Sequence, residues 1–350
     1  MNFVNITNDA LKGCRSIVNV DCQNISWVSN SMINAFNGCS NLKSVVNINQ
    51  NVTDMTSAFA YCTQMQTAPT IPDSVTNMTS TFAQDSQLTD IPHISNNATT
   101  LSNMCRNCTN LVNVPAAITA PVTNMAYTFT NCTKLSTAPT LPSSVVSMVR
   151  TFENTNISVA PVIPSTVTNM YSTFDTDKML VEAPTIPNSV TDMYSTFDDC
   201  WSLVNCNTIS ANTTQLARTF HNCANLTHVA NIPSSVTNMY STFESSTSLS
   251  CDLYIESTEV GDARNCFNGT TATKNVYMYF TYTNGEITKT YNYFLAAGYD
   301  EEGTRNGVYL KDLRSTNEYW EYELVDINTN ASITKYNGGS SIVTVPSTVD

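Results

Sequence analysis

Apolar positions along this chain return at fixed intervals with polar filling between them. The clearest stretch is 188–204, NSVTDMYSTFDDCWSLV, and its pattern V-T-[ND]-M-x-x-x-F-x-x-C-x-x-L recurs along most of the sequence. The slot of Phe197 is held in order by Leu11, Phe36, Phe59, Phe82, Cys105, Phe129, Phe152, Phe174, Phe197, Phe220, Phe243 and Phe267, in steps of 22 to 25 residues. A period of that length predicts a stack of like turns with one shared core.

Each turn divides into two halves. The segment L-x-x-[AV]-P-x-[IL]-P, as in LSTAPTLP at 135–142 and LVEAPTIP at 180–187, is extended, because prolines three residues apart forbid a helix. Stacked on the next turn, it forms one rung of a parallel sheet at ~4.8 Å spacing, so about twelve rungs give a body ~55 Å long. Proline removes rung hydrogen bonds, which limits each strand to about two to four residues. The other half places Val190, Met193, Phe197, Cys200 and Leu203 at spacings of 3, 4, 3 and 3 residues, the signature of one helix face. Asp192 or Thr191 is placed to cap that helix. The predicted fold is an α/β repeat solenoid with turns of about 23 residues, each a short parallel rung plus a short helix.

Both ends depart from the pattern. Residues 1–35 read as an N-terminal capping turn with Leu11 in the Phe slot, and 36–272 as the solenoid proper. Residues 273–350 read as a small β-rich cap or docking domain. There VYMYFTYTNGEITKTYNYF predicts two strands around the Asn284-Gly285 turn. EYWEYELVDI and SIVTV predict further strands, with Gly338-Gly339 as a turn. Aromatic side chains gather in this region, and Tyr277, Tyr279, Tyr282, Tyr291, Tyr293, Tyr319, Trp320 and Tyr322 are candidates for docking other proteins or a second copy of the chain.

Composition narrows the partners. Charged residues are 12% of the chain and the formal net charge is −13, which argues against nucleic acid, whose phosphates demand clustered Lys and Arg. No apolar run is long enough to predict membrane insertion. The first residues show neither the basic nor the apolar region of a secretory signal. Seven of the 12 cysteines sit three residues after the Phe slot, where other turns carry Asp85, Thr155, Asp177, Ser246 and Thr270. A slot so varied is a column of small buried groups, not a disulfide framework.

The chemistry-bearing candidates are few. The repeat itself explains Cys105 and Cys108, which spell C-x-x-C. Cys200, Cys206, His221 and Cys223 contain no tight pair of zinc ligands. Acidic residues after successive Phe slots stack along one edge, and Asp175, Asp177, Asp198 and Asp199 are the candidates for a Ca²⁺ site, which needs several oxygens. The Asx column before Met is assigned to helix caps and turn-to-turn ladders. With no nucleophile–base pair and no Gly-rich phosphate loop, the expectation is a protein without enzymatic activity or cofactor.

The pattern V-T-N-M-x-x-x-F-x-x-C-x-x-L-x-x-[AV] resembles the BspA-like branch of leucine-rich repeats over roughly residues 11–270. That branch occurs in bacterial surface proteins and in some bacteriophage proteins. The resemblance implies a curved leucine-rich-repeat solenoid for adhesion or recognition, with a host-surface protein or glycan as ligand. With no visible export signal or wall anchor, the expected role is structural, in a bacteriophage particle as a fibre, tail or head-decoration protein, and the expected location is the virion. The alternative is an adhesin on a bacterial cell surface.

Overall fold

The computed structural model describes residues 4–313, 320–326 and 330–336. Regular strands are short and mostly parallel. β1 (Val4–Ile6) pairs with β3 (Ile25–Trp27), and β2 (Asn19–Asp21) with β4 (Ser44–Val46). Further along, β5 (Asn205–Cys206) pairs with β6 (His228–Val229), while β7 (Leu253–Ile255), β8 (Lys274–Met278) and β9 (Val308–Asp312) make a three-stranded parallel sheet. Between β4 and β5 the rungs meet through single bridges such as Thr67 to Asp90 to Asn113. Proline in this segment lacks the N–H that a longer ladder needs, so pairing collapses to one or two residues.

A second column of bridges runs the length of the solenoid. Ser31, Asp54, Asn77, Thr100, Asn124, Ser147, Asn169, Asp192, Gln215, Asn238 and Asp262 are joined in that order, each to the next turn. Their side chains also close the following turn: Asp54, Asn77, Asn124, Asn169, Asp192 and Asn238 accept from the backbone N–H two residues on, at 2.8 to 3.0 Å. The Asx column thus ladders from turn to turn as expected, but the bend that it closes opens no helix, so the expected helix caps are Asx turns instead.

The predicted helix in each turn is not there. In 55–62 the N–H groups of Ala58, Ala60 and Cys62 bond back three residues, to Met55, Ser57 and Phe59. The alternate N–H groups of Met55, Ser57, Phe59 and Tyr61 bond across, to Asn77, Thr79, Thr81 and Ala83 of the next turn. An α-helix would keep all of these bonds inside its own segment. Here half of them tie neighbouring turns together. The ribbon needs left-handed backbone every four residues, at Ser57 and Tyr61, Ser80 and Gln84, Asn107 and Asn103, and so on through Ser241 and Ser245. Such φ values are incompatible with a helix interior.

The inward positions are nevertheless those the pattern marks. Val190, Met193, Phe197, Cys200 and Leu203 are all fully buried. The phenyl rings form two ladders, Phe36–Phe59–Phe82 and Phe129 through Phe267, with neighbouring centroids 5.5 to 5.8 Å apart. Cys105, in the Phe slot, separates them. Trp27 meets Phe36 edge-on at one end, and Tyr299 meets Phe267 edge-on at the other.

The second strand predicted after Asn284-Gly285 is also corrected. Gly285 does turn the chain, with φ 87°, and Thr281 bridges Ile287. Beyond it, KTYNYFLA forms a helix, α1 (Lys289–Ala296). Thr288 caps it by accepting from the Tyr291 N–H, and buried Phe294 packs against Phe267. The β8 and β9 strands extend the parallel column of the last turns. β10 (Trp320–Asp326) and β11 (Asn330–Tyr336) pair antiparallel. Tyr319, Gly338-Gly339 and the SIVTV segment lie outside the described residues.

Candidate interaction surface

The turn half of each repeat presents two rows of side chains to solvent. One row lies just after the Met slot and the other just after the Phe slot. The first carries planar groups in successive turns. Arg106, from the second row, lies 5.6 Å over Tyr127, and Arg150 lies 5.9 Å from Tyr127 and 5.4 Å from Tyr171. Tyr171 stacks on Tyr194 at 5.0 Å and 6°. Farther along, Arg264 sits 5.4 Å over Tyr240. Tyr127, Arg150 and Tyr171 are each held between neighbours from adjacent turns. Cation–π contacts of this kind contribute about 0.5–1 kcal/mol at exposed sites.

The second row is acidic and amide-rich. Arg150 pairs with Glu153, and the Arg218 Nε donates to Asp198 Oδ2 at 2.9 Å. His221 Nδ1 lies 2.6 Å from the other Asp198 oxygen, and Ser195 donates to Asp198 as well. Amides link turn to turn: Asn131 donates to Asn107, Asn154 to Asn131, Asn222 to Asp199 and Asn268 to Glu244. Asp175 has no cation against it, and burial pushes its carboxyl up to about 6.

The four Ca²⁺ candidates do not form one site. Asp175, Asp198 and Asp199 lie in the second row, whereas Asp177 is buried in the cysteine column, accepting from Thr155 Oγ1 at 2.7 Å. The ligand atoms of Asp198, Asp199 and His221 do come within 4.8 Å of one another. An imidazole in place of oxygen and a guanidinium already on Asp198 do not fit Ca²⁺. The Cys200, Cys206 and Cys223 thiols donate to the carbonyls of Phe174, Thr208 and Phe197, and Cys223 also reaches the His221 carbonyl rather than its ring. All the cysteines are free thiols, and burial pushes Cys105, Cys132, Cys200 and Cys223 well above the ordinary range.

Four of the candidate docking tyrosines, Tyr277, Tyr282, Tyr291 and Tyr293, are engaged within the chain. Tyr277 stacks on Tyr254 at 4.8 Å and Tyr291 on Phe280 at 3.9 Å. Tyr282 donates to Glu259 at 2.5 Å, and Tyr293 to Asp262 at 3.3 Å. Tyr279 is partly exposed beyond β8. Trp320 and Tyr322 belong to β10. On the rung half, Glu182, Asn205 and His228 share the bridging column, beside a shallow groove lined by Val159, Ala160, Val181, Ala183 and Pro184.

Arg150 and Arg218 escape a reading of the repeat because they stand where other turns carry serine. The signal is present in the residues after Met, where Tyr171, Tyr194 and Tyr240 recur, but only the stacking shows Arg150 joining them.

A family model described as the BspA type leucine rich repeat region matches in six copies, over residues 4–136, 80–177 and 122–250. Among solved structures, a leucine-rich repeat protein from Bacteroides ovatus ATCC 8483 is similar with a TM-score of 0.56 at 20% identity, covering 88% of this chain and 87% of that one. A leucine rich cell surface protein from Faecalibacterium prausnitzii A2-165 aligns with 90% of this chain and 92% of its own, at 19% identity and a TM-score of 0.48. No curated protein matches.

Proposed function

The chain belongs to the BspA-type leucine-rich-repeat family, and from that premise we propose that it is a binding module displayed on a bacterial cell surface. The six-copy family match carries this reading. The fold supports it physically: stacked turns give a long rigid surface at little ordering cost, because each turn is fixed by its neighbours before any ligand arrives. A role in a bacteriophage particle finds no support among the comparisons and gives way to the cell-surface reading. The module binds without chemistry of its own, and its C-terminal residues hold it against other surface proteins or a second copy.

The test is protease shaving of intact producing cells. Peptides from the solenoid, such as those ending at Arg106 or Arg150, should appear in the supernatant before lysis. A chain recovered only after lysis would sink the reading.

A further inference from the structure

The turn face pairs a row of donors with a row of acceptors, and this pairing selects a class of ligand. The donors are the guanidinium and phenol edges that run from Arg106 to Arg264. The acceptors beside them are partly buried carboxylates and amides, among them Glu153, Asp175, Asp199 and Glu244. The rows touch through the Arg150–Glu153 and Arg218–Asp198 pairs.

Charge within the face is balanced locally. Arg150, Arg218 and Arg264 each have a carboxylate partner in Glu153, Asp198 and Asp262. A polyanion would meet Asp175 and Glu244, and a polycation would meet the arginines. A hydroxyl suffers neither penalty, because it both donates and accepts. No exposed large apolar side chain between Arg106 and Arg264 stands in either row, and the most exposed ones, Val159 and Val162, lie on the rung half, so this face lacks the apolar centre of a tight protein interface.

The groups are also fixed in place. Tyr171 and Tyr194 are clamped ring on ring, and the Asn107–Asn131–Asn154 amides bond in series. Such pre-organisation lets weak hydrogen bonds add up, because little side-chain entropy remains to be lost. The rows repeat at the turn spacing, ~4.8 Å, for about eight turns. A polymer of units of comparable length, laid along the solenoid axis, meets a donor and an acceptor at every unit.

We propose that the turn face between Arg106 and Arg264 is a binding site for an extended neutral polysaccharide. The inference rests on the cell-surface binding reading and names its ligand class.

The experiment uses the full chain in affinity electrophoresis against xylan, mannan, amylose and a mixed-linkage β-glucan, with polygalacturonate as the acidic comparison. Saturable retardation by at least one neutral polymer is expected. The double variant Tyr171→Phe/Tyr194→Phe keeps the stacked rings and removes two donors, and should weaken retardation about tenfold. Arg150→Gln should weaken it by a similar factor. Thr137→Val, on the rung half, should leave it unchanged. Unchanged thermal unfolding of each variant separates lost contacts from lost folding. Retardation by none of the neutral polymers, by polygalacturonate alone, or by a neutral polymer equally for native and variant chains, would overturn the proposal. The shaving experiment is independent of it: a chain exposed on cells that binds no neutral polymer loses this inference and keeps the surface reading.

Discussion

Asp85 stands in a column where most thiols and Ser246 donate. The thiols of Cys39, Cys62, Cys108, Cys132, Cys200 and Cys223 each give their proton to the Phe-slot carbonyl one turn back, and Ser246 does the same. The rule explains why the slot accepts Cys or Ser, a tolerance already legible in the sequence. It also defines what an acid must do there. Asp85 is fully buried, accepts from the Cys62 N–H at 2.6 Å through Oδ1, and has no partner for Oδ2. Burial pushes its carboxyl well above the ordinary range, and pushes that of Asp177 up to about 7. Protonated, each is an uncharged group like the thiols of the column. A folded-state pKa above the unfolded one gives stability that is whole below the unfolded value of 3.8 and is lost as pH rises through the folded value. The melting temperature should therefore fall steadily from about pH 4 to pH 8. Asp177→Asn should remove that acid's share of the fall, at most roughly 4 kcal/mol between pH 4 and pH 7. Asp85→Cys should remove a further share, spread over the whole range. Thermal melts across that range check this, and a melting temperature that rises between pH 5 and pH 8 would contradict it. The sequence already places Asp85 and Asp177 in the column of small buried groups, and the structure buries both; what the sequence hides is that Asp177 stands apart from the edge acids Asp175, Asp198 and Asp199.

The turn segment shows how periodicity fixes direction but not conformation. Spacings of 3 and 4 place Val190, Met193, Phe197 and Cys200 inward whether the backbone is a helix or a ribbon of linked turns that repeats every four residues. What separates the two is the filler. T-S-A-F, T-S-T-F and Y-S-T-F are poor in helix formers, and Ser, Asn and Gly hold most of the left-handed positions. Rung pairing was legible in its direction, and the prolines that shorten it were visible too. Circular dichroism should show a helix signal of only a few per cent, since the eight residues of α1 are the one α-helix among the described residues. A strong helical minimum would contradict the ribbon. The left-handed sites make a second test. Gly38 has φ 76°, and Gly38→Ala should destabilise by about 1 kcal/mol. Tyr61 has φ 63° and is 52% exposed, so Tyr61→Asn should stabilise by up to ~1 kcal/mol, because asparagine tolerates this region. Urea denaturation of the two variants reads both signs, and the same sign for both would refute the argument.

At the scale of the whole molecule, a stack of turns has no intrinsic end, so each end must be closed. Trp27 closes the phenyl ladder on one side. On the other, Phe294 and Tyr299 cover Phe267, while Val276, Met278, Val308 and Leu310 are buried with them. A chemically distinct region after Phe267 was evident from the loss of the period. Its helix was not, because K-T-Y-N-Y-F reads equally well as a strand when only alternation is weighed. The tyrosines there now have a structural use, since Tyr277 continues the stack from Tyr254 and Tyr293 reaches back to Asp262. Truncation after residue 274 should therefore do more than remove a docking site. It uncovers Phe267, Cys266 and Leu253, all fully or almost fully buried in the whole chain. Exposing a ladder end costs the contacts on one face of the last turn, and in a nearest-neighbour stack the loss stays local before it spreads. Hydrogen exchange should show protection lost first in the turns of Phe243 and Phe267 and retained around Phe129, with a lower onset of unfolding. If the truncated chain kept full protection at Phe267, the C-terminal residues would not be the lid of this core, and the tyrosines would return to being a surface for partners alone.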